Sequence, residues 1–104
     1  MGIVRLVLAS LLLAAAPAAA APTRAVVYIR NFAFVPASLT VAAGSSVTFI
    51  NQDQDAHTVT GHGFNSGGLD TGAHWVHRFT TPGMYAFVCE LHPYMHGSII
   101  VRKR

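Results

Sequence analysis

The chain has 104 residues, of which 52% are hydrophobic and 11% are charged, and its formal net charge is +3. This length suits one small domain and excludes a multidomain protein. The basic residues Arg102, Lys103 and Arg104 form a short tail without interleaved aromatic residues, which argues against nucleic-acid binding. A disulfide within the chain is excluded because Cys89 is its single cysteine.

Residues 1–20 have the pattern of a secretory signal peptide. A weakly basic start with Arg5 precedes the apolar run 6–16, and small residues follow at 18–21. The apolar run is shorter than the about 20 residues that a membrane-spanning helix needs. We therefore expect cleavage after Ala20, export to the periplasm or beyond, and no stable membrane association. The mature protein would be a single domain over residues 21–104, about 84 residues long.

After the signal segment, the chain reads as short strands separated by turns. Strands are predicted at 25–31, 38–42, 46–51, 57–60, 74–80, 84–89 and 97–102 from β-rich or alternating residues. Glycine and proline mark the turns at 43–45 and 81–83, and residues 61–72 form a glycine-rich, irregular connection. The pattern predicts an all-β, antiparallel Greek-key sandwich or barrel of about seven to eight strands.

A cysteine, a histidine and a methionine recur every third residue near the C-terminus, at Cys89, His92 and Met95. Pro93 disfavours a helix here, so a tight loop after a strand is expected. One cysteine, two histidines and a weak methionine form the ligand set that selects copper for electron transfer. His57, which follows a loop rich in Asn and Asp, is the best candidate for the second histidine. A metal joining it to the C-terminal loop would also stabilise so small a domain.

These residues resemble the cupredoxin family, and the short ligand loop is most similar to that of amicyanin and the plastocyanin-like members. The resemblance covers nearly the whole mature region. It rests on residues 34–41, 44, 51–53, 64–67, 82–85, 97 and the loop 89–95. It implies one type 1 copper ion per chain, bound by His57, Cys89, His92 and Met95.

The resemblance also implies a role and a surface. It indicates a periplasmic one-electron carrier, not an enzyme, that acts as a monomer between a redox protein donor and acceptor. These partners would dock near His92, Pro93 and Tyr94. One departure is Thr58, which stands where these members have an asparagine directly after the first histidine. A threonine can supply one hydroxyl hydrogen bond in place of the asparagine amide.

Two other functions are compatible with parts of the pattern. The surplus of histidines and methionines would suit a copper-trafficking or storage protein. The pair Cys89 and His92 would provide half of a zinc site, although a thioether is an unusual zinc ligand. The remaining histidines are predicted to be solvated surface residues; they are His62, His74, His77 and His96. Of these, His74 and His77 are predicted to lie on different faces of one strand.

Overall fold

The computed structural model of the protein describes residue 2 and residues 20–104. All of the predicted signal peptide except Gly2 and Ala20 lies outside the described residues, so its cleavage stays a prediction. Among the described residues, none lies in a helix with the length and hydropathy of a membrane span.

Residues 20–104 form nine strands and no helix. The strands are β1 (Arg24–Arg30), β2 (Ala33–Val35), β3 (Ser38–Ala42), β4 (Ser45–Asn51), β5 (Thr60–Gly61), β6 (Phe64–Asn65), β7 (His74–Phe79), β8 (Gly83–Val88) and β9 (His96–Arg102). They make two sheets, one in the order β2-β1-β4-β7 and the other in the order β3-β9-β8-β5-β6. The predicted all-β fold is confirmed, and of the two expected forms, sandwich and barrel, the two sheets make a sandwich, with nine strands in place of about seven to eight.

Two of the strand pairings are parallel, which corrects the expectation of an antiparallel fold. β1 runs parallel to β4, with Val27 opposite Phe49, and β3 runs parallel to β9, with Leu39 opposite Ile99. Parallel partners cannot be joined by a tight hairpin. In each parallel pair, other strands lie between the two partners in the sequence. The direction of pairing therefore depends on the topology of the whole chain and not on the local pattern.

The core lies between the two sheets and is formed by alternate residues of the longer strands. Val27, Phe49 and Ile99 are fully buried, and Phe87 and Val101 are nearly so. Their neighbours along each strand point outward and are more exposed. The alternation is the period of two expected for strands with one buried face.

Three short strand segments differ from the sequence prediction. A strand was expected at 57–60, but only Thr60–Gly61 pairs as a strand, and His57 makes an isolated bridge to Leu69. β2 and β6 were not predicted as strands. Segments of two or three residues are too short to show a period of two, so only their partners in the sheet identify them.

Candidate metal centre

His57 is placed by the polar loop that follows β4. Its N–H donates to the carbonyl of Leu69 over 3.1 Å, and its own carbonyl accepts from the Leu69 N–H over 2.7 Å. The amide of the buried Asn51 donates to the carbonyls of Leu69 (2.8 Å) and Asp55 (2.9 Å). The backbone is therefore held at His57 by Leu69 and at Asp55 by Asn51, and the imidazole is fully buried.

The other three predicted ligands lie in the loop between β8 and β9. The Cys89 N–H donates to the carbonyl of Met95 over 3.2 Å, and the Met95 N–H donates to the carbonyl of His92 over 2.9 Å. The backbone thus folds back on itself, as the proline in this segment predicted. Cys89 and Met95 are buried, and His92 is half-buried.

The loop and the distant histidine meet at one point. Cys89 Sγ lies 3.6 Å from His57 Nδ1 and 3.8 Å from His92 Nδ1, and the two Nδ1 atoms are 3.1 Å apart. A metal commonly lies about 2.0 Å from a ring nitrogen and about 2.3 Å from a thiolate. Three donor atoms bound to one ion at these bond lengths would lie about as far from one another as the three donor atoms here, which are 3.1–3.8 Å apart. The geometry therefore fits a bound metal.

Asp53 determines which nitrogen of His57 can serve as a ligand. The carboxylate Oδ2 of Asp53 lies 2.9 Å from His57 Nε2. Since a carboxylate accepts a proton donor, this contact assigns the proton of a neutral imidazole to Nε2 and leaves the Nδ1 lone pair directed at Cys89 and His92. A carboxylate behind a ligating histidine is a frequent arrangement at metal sites.

Asp53 is itself stabilised as an anion. Burial alone would raise the pKa of Asp53, but hydrogen bonds from the N–H groups of Phe32 and Asn31 and from His57 have a larger opposite effect. Its pKa therefore lies below the ordinary value of 3.8. The side chain is charged at neutral pH and can accept all three hydrogen bonds.

Thr58 contacts both the cysteine and the residue that follows it. Its backbone N–H donates to Cys89 Sγ over 3.3 Å, which stabilises a thiolate. Its Oγ1 accepts a hydrogen bond from the Glu90 N–H over 2.9 Å, and it lies 2.9 Å from the Thr60 hydroxyl. The hydroxyl of Thr58 therefore has two hydrogen-bond partners where one bond was expected, and one of them is the backbone of the residue directly after the cysteine.

We expect Thr58→Val to destabilise the metal-free protein by about 1–2 kcal/mol, because the part-buried N–H of Glu90 loses its acceptor. Urea unfolding measures the change. Thr60→Val is the matched control, since it removes a hydroxyl next to Thr58 but leaves the bond to Glu90, and it should cost less. If the two variants lose equal stability, the hydrogen bond from the Glu90 N–H to Thr58 does not account for the loss in Thr58→Val.

The chemistry of the donors favours copper over zinc. Within the part of the chain that the structure describes, His57, Cys89 and His92 are the only group of three or more His, Cys, Asp or Glu residues able to share an ion. Met95 is the fourth predicted ligand, and it is buried in the same loop. A set with one thiolate, two imidazoles and one thioether is typical of electron-transfer copper. A structural zinc site would require a fourth nitrogen, thiolate or carboxylate donor.

Two residues near the site were not identified from the sequence. The ring of Phe32 lies edge-on to the imidazoles of both His57 and His92, at centroid distances of 5.4 and 5.1 Å. No local pattern indicates this contact, because Phe32 reaches the site through the β1–β2 turn. Asp53 could have been suspected, since an acidic residue shortly before a ligating histidine is a suitable partner for its second nitrogen.

The four remaining histidines have two kinds of environment. His62, His74 and His96 are exposed, as predicted. His77 is half-buried and stacks on Phe64 and Trp75 at centroid distances of 5.1 and 5.2 Å, so its prediction as a solvated surface residue is wrong. Burial lowers the pKa of His77 below 6.5. His74 and His77 do lie on different faces of β7.

Comparisons with known proteins agree with this site. The family described as "Cupredoxin-like domain" matches residues 2–101. A methionine-to-alanine mutant of amicyanin in the Cu(I) form superposes with a TM-score of 0.73 at 26% identity, over 76% of this chain and 82% of that chain. A purple cupredoxin from Nitrosopumilus maritimus superposes with a TM-score of 0.70 at 28% identity, over 75% of this chain and 99% of that chain.

A copper-containing nitrite reductase from Thermus scotoductus SA-01 also superposes, with a TM-score of 0.74 at 27% identity. The match covers 82% of this chain but only 24% of the reductase. A search of curated proteins finds no match to this chain.

Proposed function

Because this chain belongs to the cupredoxin-like domain family, we propose that it is a one-electron carrier with a single copper ion bound by His57, Cys89, His92 and Met95. The observation that carries the proposal is the convergence of three donor atoms, from two segments distant in sequence, within 4.8 Å of one another. Copper held by this donor set alternates between Cu(II) and Cu(I), which supplies the one-electron chemistry.

The protein's contribution is to hold the ligands still. His57 is fixed by the bridge to Leu69 and by Asp53, and the cysteine end is fixed by Thr58. These contacts come from residues outside the ligand set, so they would position the ligands in both oxidation states. The ligand positions should therefore change little during electron transfer, which favours rapid exchange.

His92 provides the route between the site and a partner. Unlike the buried His57, it is half-exposed. Around it lie exposed apolar residues, with Phe32 40% exposed, Leu91 56% and Tyr94 65%. We call Phe32, Leu91, Pro93 and Tyr94 the apolar surface. Contiguous exposed apolar residues commonly mark interaction sites. We therefore expect the redox protein donor and the redox protein acceptor to dock on the apolar surface, and the chain to act as a monomer.

The cellular location follows from the N-terminal segment. A signal peptide over residues 1–20, removed after Ala20, would deliver residues 21–104 to the periplasm as a single copper-binding domain. This export also suits the lone Cys89, because a metal ligand in an oxidising compartment is protected from forming disulfides with other thiols. Mass spectrometry of the protein from the periplasmic fraction tests the cleavage site.

A copper-trafficking protein is the second candidate, and an enzyme is not favoured. Trafficking or storage would be supported by several copper sites, but the described residues contain one cluster of three or more His, Cys, Asp or Glu donors. The activity of the nitrite reductase is not carried over, since this chain corresponds to 24% of that enzyme.

The proposed function is tested by loading the purified protein with Cu(II). We expect one tightly bound copper per chain by metal analysis and an intense blue or related thiolate-to-copper colour. The colour should disappear when a reductant adds one electron equivalent, and it should return when an oxidant removes that electron. Competition with Zn(II) serves as the control for metal identity. A colourless copper protein, several tight copper ions per chain, or retention of zinc against copper would contradict the proposal.

A further inference from the structure

The turn between β1 and β2 has an unfavourable backbone conformation. Arg30 pairs with Ala33, so Asn31 and Phe32 form a two-residue hairpin loop. Both have positive φ, 52° for Asn31 and 55° for Phe32. Such loops favour Asn followed by Gly, and a left-handed residue with a side chain costs about 1–2 kcal/mol. Phenylalanine therefore occupies a position where glycine would be more stable.

The carboxylate of Asp53 holds this turn in place. Oδ1 accepts a hydrogen bond from the Asn31 N–H over 2.6 Å, and Oδ2 accepts one from the Phe32 N–H over 2.9 Å. The same Oδ2 accepts from His57 Nε2. Asp53 is itself anchored, because its N–H donates to Asn51 Oδ1 over 2.9 Å and its carbonyl accepts from the Thr71 hydroxyl over 2.7 Å. One carboxylate thus joins the turn to a metal ligand.

The consequence of the strained turn is the position of the Phe32 ring. The ring contacts the imidazoles of both His57 and His92, while 40% of Phe32 remains exposed to solvent. It therefore lies between the two imidazoles and water. Backbone strain at a functional site persists when the surrounding structure maintains it and the resulting geometry is useful.

We propose that Phe32 is a cover over the two histidines that slows the release of the metal and the entry of water, and that Asp53 is the positioning residue that holds this cover in place. The proposal rests on the proposed metal site. Asp53 then has two effects on the site, a direct one through His57 Nε2 and an indirect one through the Phe32 ring.

The first test needs no metal. In the metal-free protein, the amide protons of Asn31 and Phe32 should exchange slowly although both residues are exposed, and Asp53→Ala should speed their exchange by about tenfold or more. Amides of β9, such as that of Ile99, are the internal control for global opening. Unchanged exchange at Asn31 and Phe32 would show that Asp53 does not hold the turn, whether or not the protein binds copper.

The second test removes the cover without weakening the turn. Phe32→Gly creates the Asn-Gly pair that this loop favours, so the metal-free variant should fold at least as well as the wild type. The Cu(II) complex of this variant should release copper to excess EDTA on the order of tenfold faster than the wild-type complex. Because water would approach the Cu(II) ion more closely, the nuclear magnetic relaxation of the water protons should also be faster. Met84→Ala, which truncates a 73% exposed side chain on β8, is the control. Release at the wild-type rate would overturn the role of Phe32.

A double-mutant cycle separates the two effects of Asp53. If Asp53 acts partly through Phe32, Asp53→Asn should accelerate copper release less in the Phe32→Gly background than in the wild-type background. Equal acceleration in both backgrounds would mean that Asp53 acts through His57 alone, and the positioning role would be rejected. Wild-type protein that binds no copper would instead refute the proposed function, while the amide-exchange test would still decide whether Asp53 holds the turn.

Discussion

Replacing Cys89 with serine is expected to abolish the blue colour of the copper protein. The colour of such sites requires a thiolate ligand, and Cys89 is the chain's only cysteine. A serine hydroxyl at this position would remain protonated, so it would offer neither the anion nor the soft sulfur. Removal of a residue that hydrogen-bonds to a metal ligand lowers the affinity for the metal by roughly 10–100-fold. Because Cys89 is itself a proposed ligand, its replacement should lower the affinity for copper by more than this. Absorption spectra and electron paramagnetic resonance of the Cu(II) protein measure the effect.

The serine variant is a suitable test because its shape is close to that of cysteine. The metal-free variant should keep the fold, which circular dichroism can verify, so loss of colour would not reflect unfolding. Met84→Ala again provides a control, since Met84 lies on β8, the strand that leads to Cys89, but is exposed. A Cys89→Ser protein that remained blue would show that another group supplies the colour.

Copper should raise the melting temperature of the protein by a large amount. A ligand present at 1,000 times its Kd stabilises the folded state by about 4.1 kcal/mol. Since a domain of this size gains about 4–8 °C per kcal/mol, the expected increase in Tm is roughly 16–33 °C. The effect arises because the metal joins His57, beyond β4, to the loop before β9 and binds only when the two segments have come together. Calorimetry with and without copper measures it.

His57→Ala should remove most of the increase in Tm that copper produces. The comparison uses the copper-induced change in Tm, because loss of the buried imidazole also lowers the stability of the metal-free protein. His62→Ala is the matched control, as His62 is an exposed loop residue outside the proposed ligand set. If copper stabilises both variants equally, His57 is not a ligand.

Several features of this protein were predictable because they depend on local sequence. The strand at Ser38–Ala42 coincides with its prediction, and most of the longer strands agree to within one or two residues, because alternation over five or more residues reports a half-buried strand. The ligand loop was predictable because Pro93 excludes a helix and the three donor residues are close in sequence.

Other features were not predictable because they depend on pairing between distant segments. The local pattern places His77 and His74 on different faces of β7, but it does not show that His77 stacks on Phe64, a residue of another strand. The same holds for Phe32, whose contact with His57 and His92 requires the β1–β2 turn to lie beside the ligand loop.

The sequence by itself determined the fold class and the donor chemistry, since alternation and residue type are properties of short segments. Only the tertiary structure decided that β1 and β4 run parallel, that Asp53 joins His57 to a strained turn, and that the Phe32 ring contacts the imidazoles of His57 and His92. The physical reason is that register and strand order, which emerge when the two sheets pack, set the distances between residues that are remote along the chain.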